Sequence, residues 1–110
     1  MSKTKKVSKK LLKGRYYWHR DDSEPGFHPS YIYKKNDKKN KYNIVCFSTK
    51  EGRNRTLLNK NINPSSSEKC FVHNSPRISK RKSFSYELKG YKVTDSRDKA
   101  LIETIKRKKK

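Results

Sequence analysis

Aliphatic and acidic side chains are both scarce in this sequence. Val, Ile, Leu and Phe together supply 20 of 110 residues, a proportion that overlaps those of chains too polar to fold. Only 10 Asp and Glu stand against 31 Lys and Arg, for a formal charge of +21. No apolar run reaches the length a membrane-spanning helix needs. The opening MSKTKKVSKK has no apolar stretch behind its charges, so no secretory signal is expected and the cytoplasm is the expected compartment. Two cysteines and three histidines, without paired metal-ligand spacings, exclude a disulfide scaffold and a structural zinc site. Cys46 and Cys70 lie in apolar strand patterns and read as small buried residues in a reducing compartment. A glycine-rich phosphate loop and an HExxH pair are absent as well, and no cofactor is expected.

What is present is unevenly placed. Residues 1–13 carry six Lys and no acid, and residues 106–110 read KRKKK. All ten acids and all twelve aromatic residues lie between them. The chain therefore divides into a basic tail over 1–13, a folded domain over 14–106 and a short basic tail over 107–110. Seven Tyr, four Phe and one Trp bury large areas per residue, which suits a small core short of Leu and Val. A Lys-rich composition can simply keep a small protein soluble. So high a charge nevertheless favours a polyanion, because Lys and Arg release counterions condensed on nucleic acid. Acidic lipid is disfavoured, since no amphipathic helix with a broad apolar face accompanies the basic runs.

Along the chain the pattern reads as strands and then a helix. RYYWHR (15–20) puts Tyr16 and Trp18 on one face at a period of two. DDSEPG (21–26) has turn chemistry, and FHPSYIYK (27–34) resumes β-prone residues. KKNDKKNK (34–41) is too polar to bury and reads as a hairpin loop. YNIVCFST (42–49) is the most apolar run and predicts the central strand, with Trp18, Ile44, Val45 and Phe47 as core residues. TLLNKNI suggests a short strand, and CFVHN (70–74) and RISK (77–80) two more. FSYELK, with Phe84 and Leu88 four apart and Gly90 as a stop, predicts a helical turn. Asp95 or Ser96 caps a terminal helix over 96–107 on which Leu101 and Ile105 stack. The expected fold is mainly β: a small SH3-like barrel of about five strands with a short helical turn and a C-terminal α-helix.

Candidate chemistry gathers in four places. His28 stands at a loop-to-strand junction, where an imidazole exchanges protons near neutral pH. Ser48 and Thr49 end the central strand, and Arg53 and Arg55 follow at once; hydroxyls beside guanidinium groups form a phosphate cradle, or else an ordinary polar loop. Arg77, Lys80, Arg81 and Lys82 make a second basic cluster suited to nucleic-acid contact. His19 and His73 fall within strand patterns and read as packing residues.

The order of these pieces resembles the MazF/PemK-like toxin family, whose members are small barrel endoribonucleases of toxin–antitoxin systems. GRYYWHRD (14–21) is similar to the family's opening strand, SEPGFHPSYIY (23–33) to its loop and second strand, and YNIVCFST to its third strand. CFVHNSPRISKRKSFSYELKGYKVTDSRDKALIETI (70–105) is similar to its closing region. In the family an Arg before the second-strand Pro and a Thr closing the third strand carry RNA cleavage. The matching positions are His28 and Ser48, with Thr49 adjacent, so the hydroxyl is retained and the Arg is replaced. The resemblance implies a dimer, an acidic antitoxin partner and a mobile-element context.

The expected function is metal-independent cleavage of single-stranded RNA, in which the 2′-hydroxyl attacks the neighbouring phosphorus. His28 would act as general acid or base and Ser48 or Thr49 would hold a phosphate oxygen, while Arg53, Arg55 and Arg77 neutralise charge. Tyr17 or Tyr31 would stack an unpaired base, unless they belong to the core. The alternative is a nucleic-acid-binding protein on the same barrel that cleaves nothing, which the replaced Arg and the basic tails favour. A gyrase-poisoning toxin of the CcdB type is a third reading that no residue specifically supports.

Overall fold

The structure is a computed structural model and describes residues 11–20, 26–36 and 38–108. Residues 1–10 and 109–110, and all of the predicted loop DDSEPG except Gly26, lie outside the described residues. Seven strands form one antiparallel sheet: β1 (Tyr16–Arg20), β2 (Phe27–Asn36), β3 (Lys41–Ser48), β4 (Arg55–Leu57), β5 (Phe71–His73), β6 (Arg77–Lys80) and β7 (Phe84–Glu87). One helix, α1 (Ser96–Lys106), closes the chain. No described helix is long and apolar enough to cross a membrane.

The run YNIVCFST is the central strand, as its composition predicts. One edge of β3 pairs with β2 along most of its length. The other edge is shared, Lys41–Ile44 taking β6 and Phe47–Ser48 taking β5. Both faces of β3 are buried, and alternation sorts its side chains into two clusters. Tyr42, Ile44 and Cys46 join Leu11, Tyr17, Ile32 and Phe84 on one side. Val45 and Phe47 join Tyr16, Leu58, Ile62, Val72, Ile102 and Ile105 on the side that α1 covers. Cys46 and Cys70 are free and buried.

The strands β7-β1-β2-β3-β6 form a continuous ladder. A single 3-10 turn, Arg81–Ser83, leads from β6 into β7 and so brings the two ends of that ladder to one side of the molecule. No ladder joins β6 to β7 among the described residues. The mainly β fold with one C-terminal helix therefore stands, as a curled sheet with β4 and β5 added, and closure into a barrel does not follow from the pairing.

Several local expectations change. FSYELK is not a helical turn: Phe84–Glu87 is strand, and the helical turn lies just before it. Phe84 inserts its ring against Tyr17 and Tyr42, 6.4 and 5.4 Å away between centroids, while Arg15 pairs with Glu87 at 2.9 Å. The free edge of β1 supplied a partner, and tertiary pairing outweighed the i, i+4 spacing. Strand pairing also continues through Asn36 and resumes at Lys41, which shortens the expected loop; Asn40 turns the chain at φ 53°. Only Arg55–Leu57 of the region around TLLNKNI is strand. Leu11 is fully buried, so packing begins before Gly14. Trp18 is half-buried rather than a core residue. Asp95 caps α1 as predicted, accepting the amides of Arg97 and Asp98.

Candidate nucleic-acid interface

The positions of β4 and β6 create a groove. Both are edge strands carried on the same side of β3, β6 directly and β4 through β5. The space between them, about 690 Å³, is lined by six cations: Arg20, Arg53, Arg55, Arg77, Lys80 and Lys82. No acidic residue lines it among the described residues. Five of those cations are among the six predicted to meet nucleic acid. Arg81 is not on the lining, and its guanidinium reaches back to the Phe84 carbonyl at 3.4 Å.

Local chemistry explains how GRNR presents two guanidinium groups. Asn54 adopts φ 59°, a left-handed conformation that Asn tolerates better than most residues. Its carbonyl accepts the Asn74 amide at 2.7 Å, and Thr56 Oγ1 donates to Asn74 Oδ1 at 2.6 Å. The turn is thereby tied to the end of β5, with Arg53 exposed on one side and Arg55 half-buried on the other. Arg55 lies across Gly52, where a Cβ would meet its Nε at 3.3 Å. Arg55 Nη1 donates to the Lys50 carbonyl at 2.8 Å and to Ser48 Oγ at 3.3 Å.

His19 forms part of the floor. It is 2% exposed, its Nε2 is 2.7 Å from Ser79 Oγ, and its ring lies 5.0 Å from that of Phe84. Burial pushes its pKa down to about 4, and the positive charges of Arg77, His28 and His73 add to the effect. The ring is therefore neutral near pH 7. The packing role expected of His19 is found, although it also lines the groove with His73.

The three predicted catalytic residues come together in a second, adjoining depression. His28, Ser48 and Thr49 line a pocket of about 340 Å³ whose apolar walls include Trp18, Phe27 and Tyr91. Ser48 is buried and accepts the Lys50 amide at 3.0 Å as well as Arg55, while Thr49 is exposed. The Ser48–Arg55 hydrogen bond thus marks the boundary between pocket and groove. Of the two tyrosines suggested for stacking, Tyr17 is core: it is 1% exposed, with its hydroxyl accepting the Leu12 amide, while Tyr31 is half-buried. Tyr31 packs on Tyr16 at 4.9 Å, and Lys106 Nζ stands 5.8 Å from its ring centre.

Sequence reasoning missed Arg20, His19 and His73 as groove residues. Each is a single polar position in a strand, and only the register Arg20↔Phe27, His19↔His28 and Arg55↔His73 aligns them with the basic clusters. Among the described residues, no group of three or more His, Cys, Asp and Glu is arranged to hold a metal ion. No family model matches the chain, and no curated protein or solved structure is similar to it.

Proposed function

We propose that this protein binds single-stranded RNA in the cytoplasm by laying the sugar–phosphate chain along the groove between β4 and β6. One observation carries the reading: six cations line the groove, and among the described residues no carboxylate lines it with them. Crowding like charges costs folding free energy, so a site built this way gains most when an anionic chain neutralises it. Its cations come from the ends of β1 and β6, the turn before β4, the first residue of β4 and the 3-10 turn, a spread that suits an extended polymer better than a single phosphate. An acidic partner protein of the antitoxin kind would compete for the same surface.

Salt and mutation test this together. Combining Arg53→Ala, Lys80→Ala and Lys82→Ala removes three exposed groove cations without touching the core. The slope of log affinity for single-stranded RNA against log salt should flatten by about 2, given roughly 0.7 per phosphate contact on single strands. Unchanged affinity and slope in the triple variant would refute the groove.

The convergence of His28, Ser48 and Thr49 beside Arg55 favours a second reading, metal-independent cleavage as the MazF/PemK resemblance implies. Thr49 would hold a phosphate oxygen, His28 would move the proton, and Arg55 would sit at the developing charge. RNA should then be cut in the presence of a chelator, and a 2′-deoxy nucleotide at the cut site should block the reaction. His28→Ala should slow cutting by ~10²–10⁴ with binding retained. RNA that is bound yet intact from pH 6 to 9 would eliminate cleavage and leave the binding reading standing.

A further inference from the structure

The pocket beside the groove differs from it in a way that the chain's composition makes unexpected. In a sequence with 31 Lys and Arg, none of those described lines this pocket. Its walls are the rings of Trp18, Phe27 and Tyr91, with Pro29 opposite Trp18 in the β1–β2 register. Phe27 is 49% exposed, a large apolar side chain left open at the start of β2. Polar groups share the lining, among them His28, Thr49, Asn63 and the Glu68 carboxylate. A phosphate would find no described Lys or Arg here and would face the Glu68 carboxylate, whereas a flat, uncharged, hydrogen-bonding group would find aromatic faces and a polar edge.

The far wall is preformed. Asn61 Nδ2 donates to Ser66 Oγ at 3.3 Å and to the Glu68 carbonyl at 2.9 Å, while its Oδ1 accepts the Asn63 amide at 2.8 Å. Asn63 Oδ1 in turn accepts the Ser65 amide at 3.0 Å. These bonds hold the 61–68 loop as a fixed side of the cavity, so little ordering would be needed on binding. The volume of about 340 Å³ lies at the small end of ligand pockets.

We propose that this pocket takes one unpaired nucleobase of the strand whose phosphates lie in the groove, stacked against Trp18 and Phe27. The inference rests on the RNA-binding reading above and adds to it a separation of tasks, phosphates to the cations and a base to the rings. The Ser48–Arg55 hydrogen bond at 3.3 Å shows how closely the two compartments adjoin, within the reach of one nucleotide. Stacking is tolerant of sequence because every base has a π-face, so the pocket selects unpaired strands over duplex.

Trp18 is the only tryptophan in the chain, so occupancy can be read from its fluorescence. The full-length protein is titrated with three probes: a short single-stranded RNA of mixed sequence, the same sugar–phosphate chain without bases, and inorganic polyphosphate. RNA should quench Trp18 and bind about tenfold more tightly than the abasic chain, as expected for one stacked base. The other two should bind in a salt-dependent manner without quenching. Phe27→Ala, at an exposed position, should remove that tenfold advantage and leave polyphosphate affinity unchanged, whereas Phe27→Tyr should retain it. Equal affinity for RNA and the abasic chain with Trp18 unquenched overturns the base pocket while sparing the groove. Failure of all three probes to bind overturns the groove, and the pocket proposal with it.

Discussion

At the helix end, Asp98 is 4% exposed, and its two carboxylate oxygens accept the amides of Asn59 and Lys60 at 2.9 and 3.0 Å. Asp95 caps the same helix and accepts the Asn59 carboxamide at 3.0 Å. In the groove between β4 and β6, six cations line the walls and, among the described residues, no carboxylate does. With so few acids in the chain, their placement is informative. The helix end uses its carboxylates to satisfy backbone amides, whereas no described carboxylate lines the groove. One region serves stability; in the function proposed above, the other meets a ligand that carries negative charge.

The contrast breaks most sharply at Asp98. Asp98→Ala strands two backbone amides and unties α1 from the 58–63 segment, so stability should fall by roughly 3 kcal/mol in denaturant melts. RNA affinity of the folded fraction should not change. A loss of affinity equal to that of the groove triple variant would show that the two regions are not separate.

Acid sharpens the comparison. The His19 pKa is about 4 in the folded protein against 6.5 for an ordinary histidine. Between those values the unfolded chain binds more protons, so this contribution is complete above pH 6.5 and is lost as pH falls towards 4. From pH 7 to 4.5 the loss should be about 2 kcal/mol. The Asp95 carboxyl is also held down, but from a lower starting value, so its window lies at more acid pH. Hydrogen bonds, that from Asn59 foremost, hold its pKa below the usual 3.8, so its contribution persists at pH 4.5. Acid should therefore weaken the groove side first. Stability measured by denaturant titration across this range should show the slope, and His19→Gln should flatten it; an identical slope in the variant would assign the acid sensitivity elsewhere.

The smallest effect belongs to Gly52. Gly52→Ala places a methyl group 3.3 Å from Arg55 Nε, and the flexible guanidinium can yield. Stability should shift by no more than about 0.5 kcal/mol. RNA affinity should fall less than in the triple groove variant, and a larger drop would make Arg55's position the controlling feature of the groove.

Periodicity carried the parts of the fold whose signals are local. The alternation in YNIVCFST, the Asp95 cap and the Leu101–Ile105 spacing depend on residues within a few positions of one another, and all three appear in the structure. FSYELK failed because Phe84 and Leu88 satisfy a helical spacing while Phe84 and Tyr86 satisfy a strand spacing. Only the open edge of β1 chose between them. The basic clusters were visible as charge, yet Arg20, Arg53–Arg55 and Arg77–Lys82 are far apart along the chain. Their meeting depends on β5 and β6 dividing one edge of β3.

By itself, the sequence determined a basic, mainly β chain with a capped terminal helix, because charge and short-range periodicity are written residue by residue. The tertiary structure alone decided that Arg81 turns away, that Tyr17 is core and that His19 lies neutral beneath a groove. It also decided that cations and aromatic rings occupy adjoining but separate compartments. These are matters of register and of which face each strand presents, and they are set by pairing partners far away in the sequence.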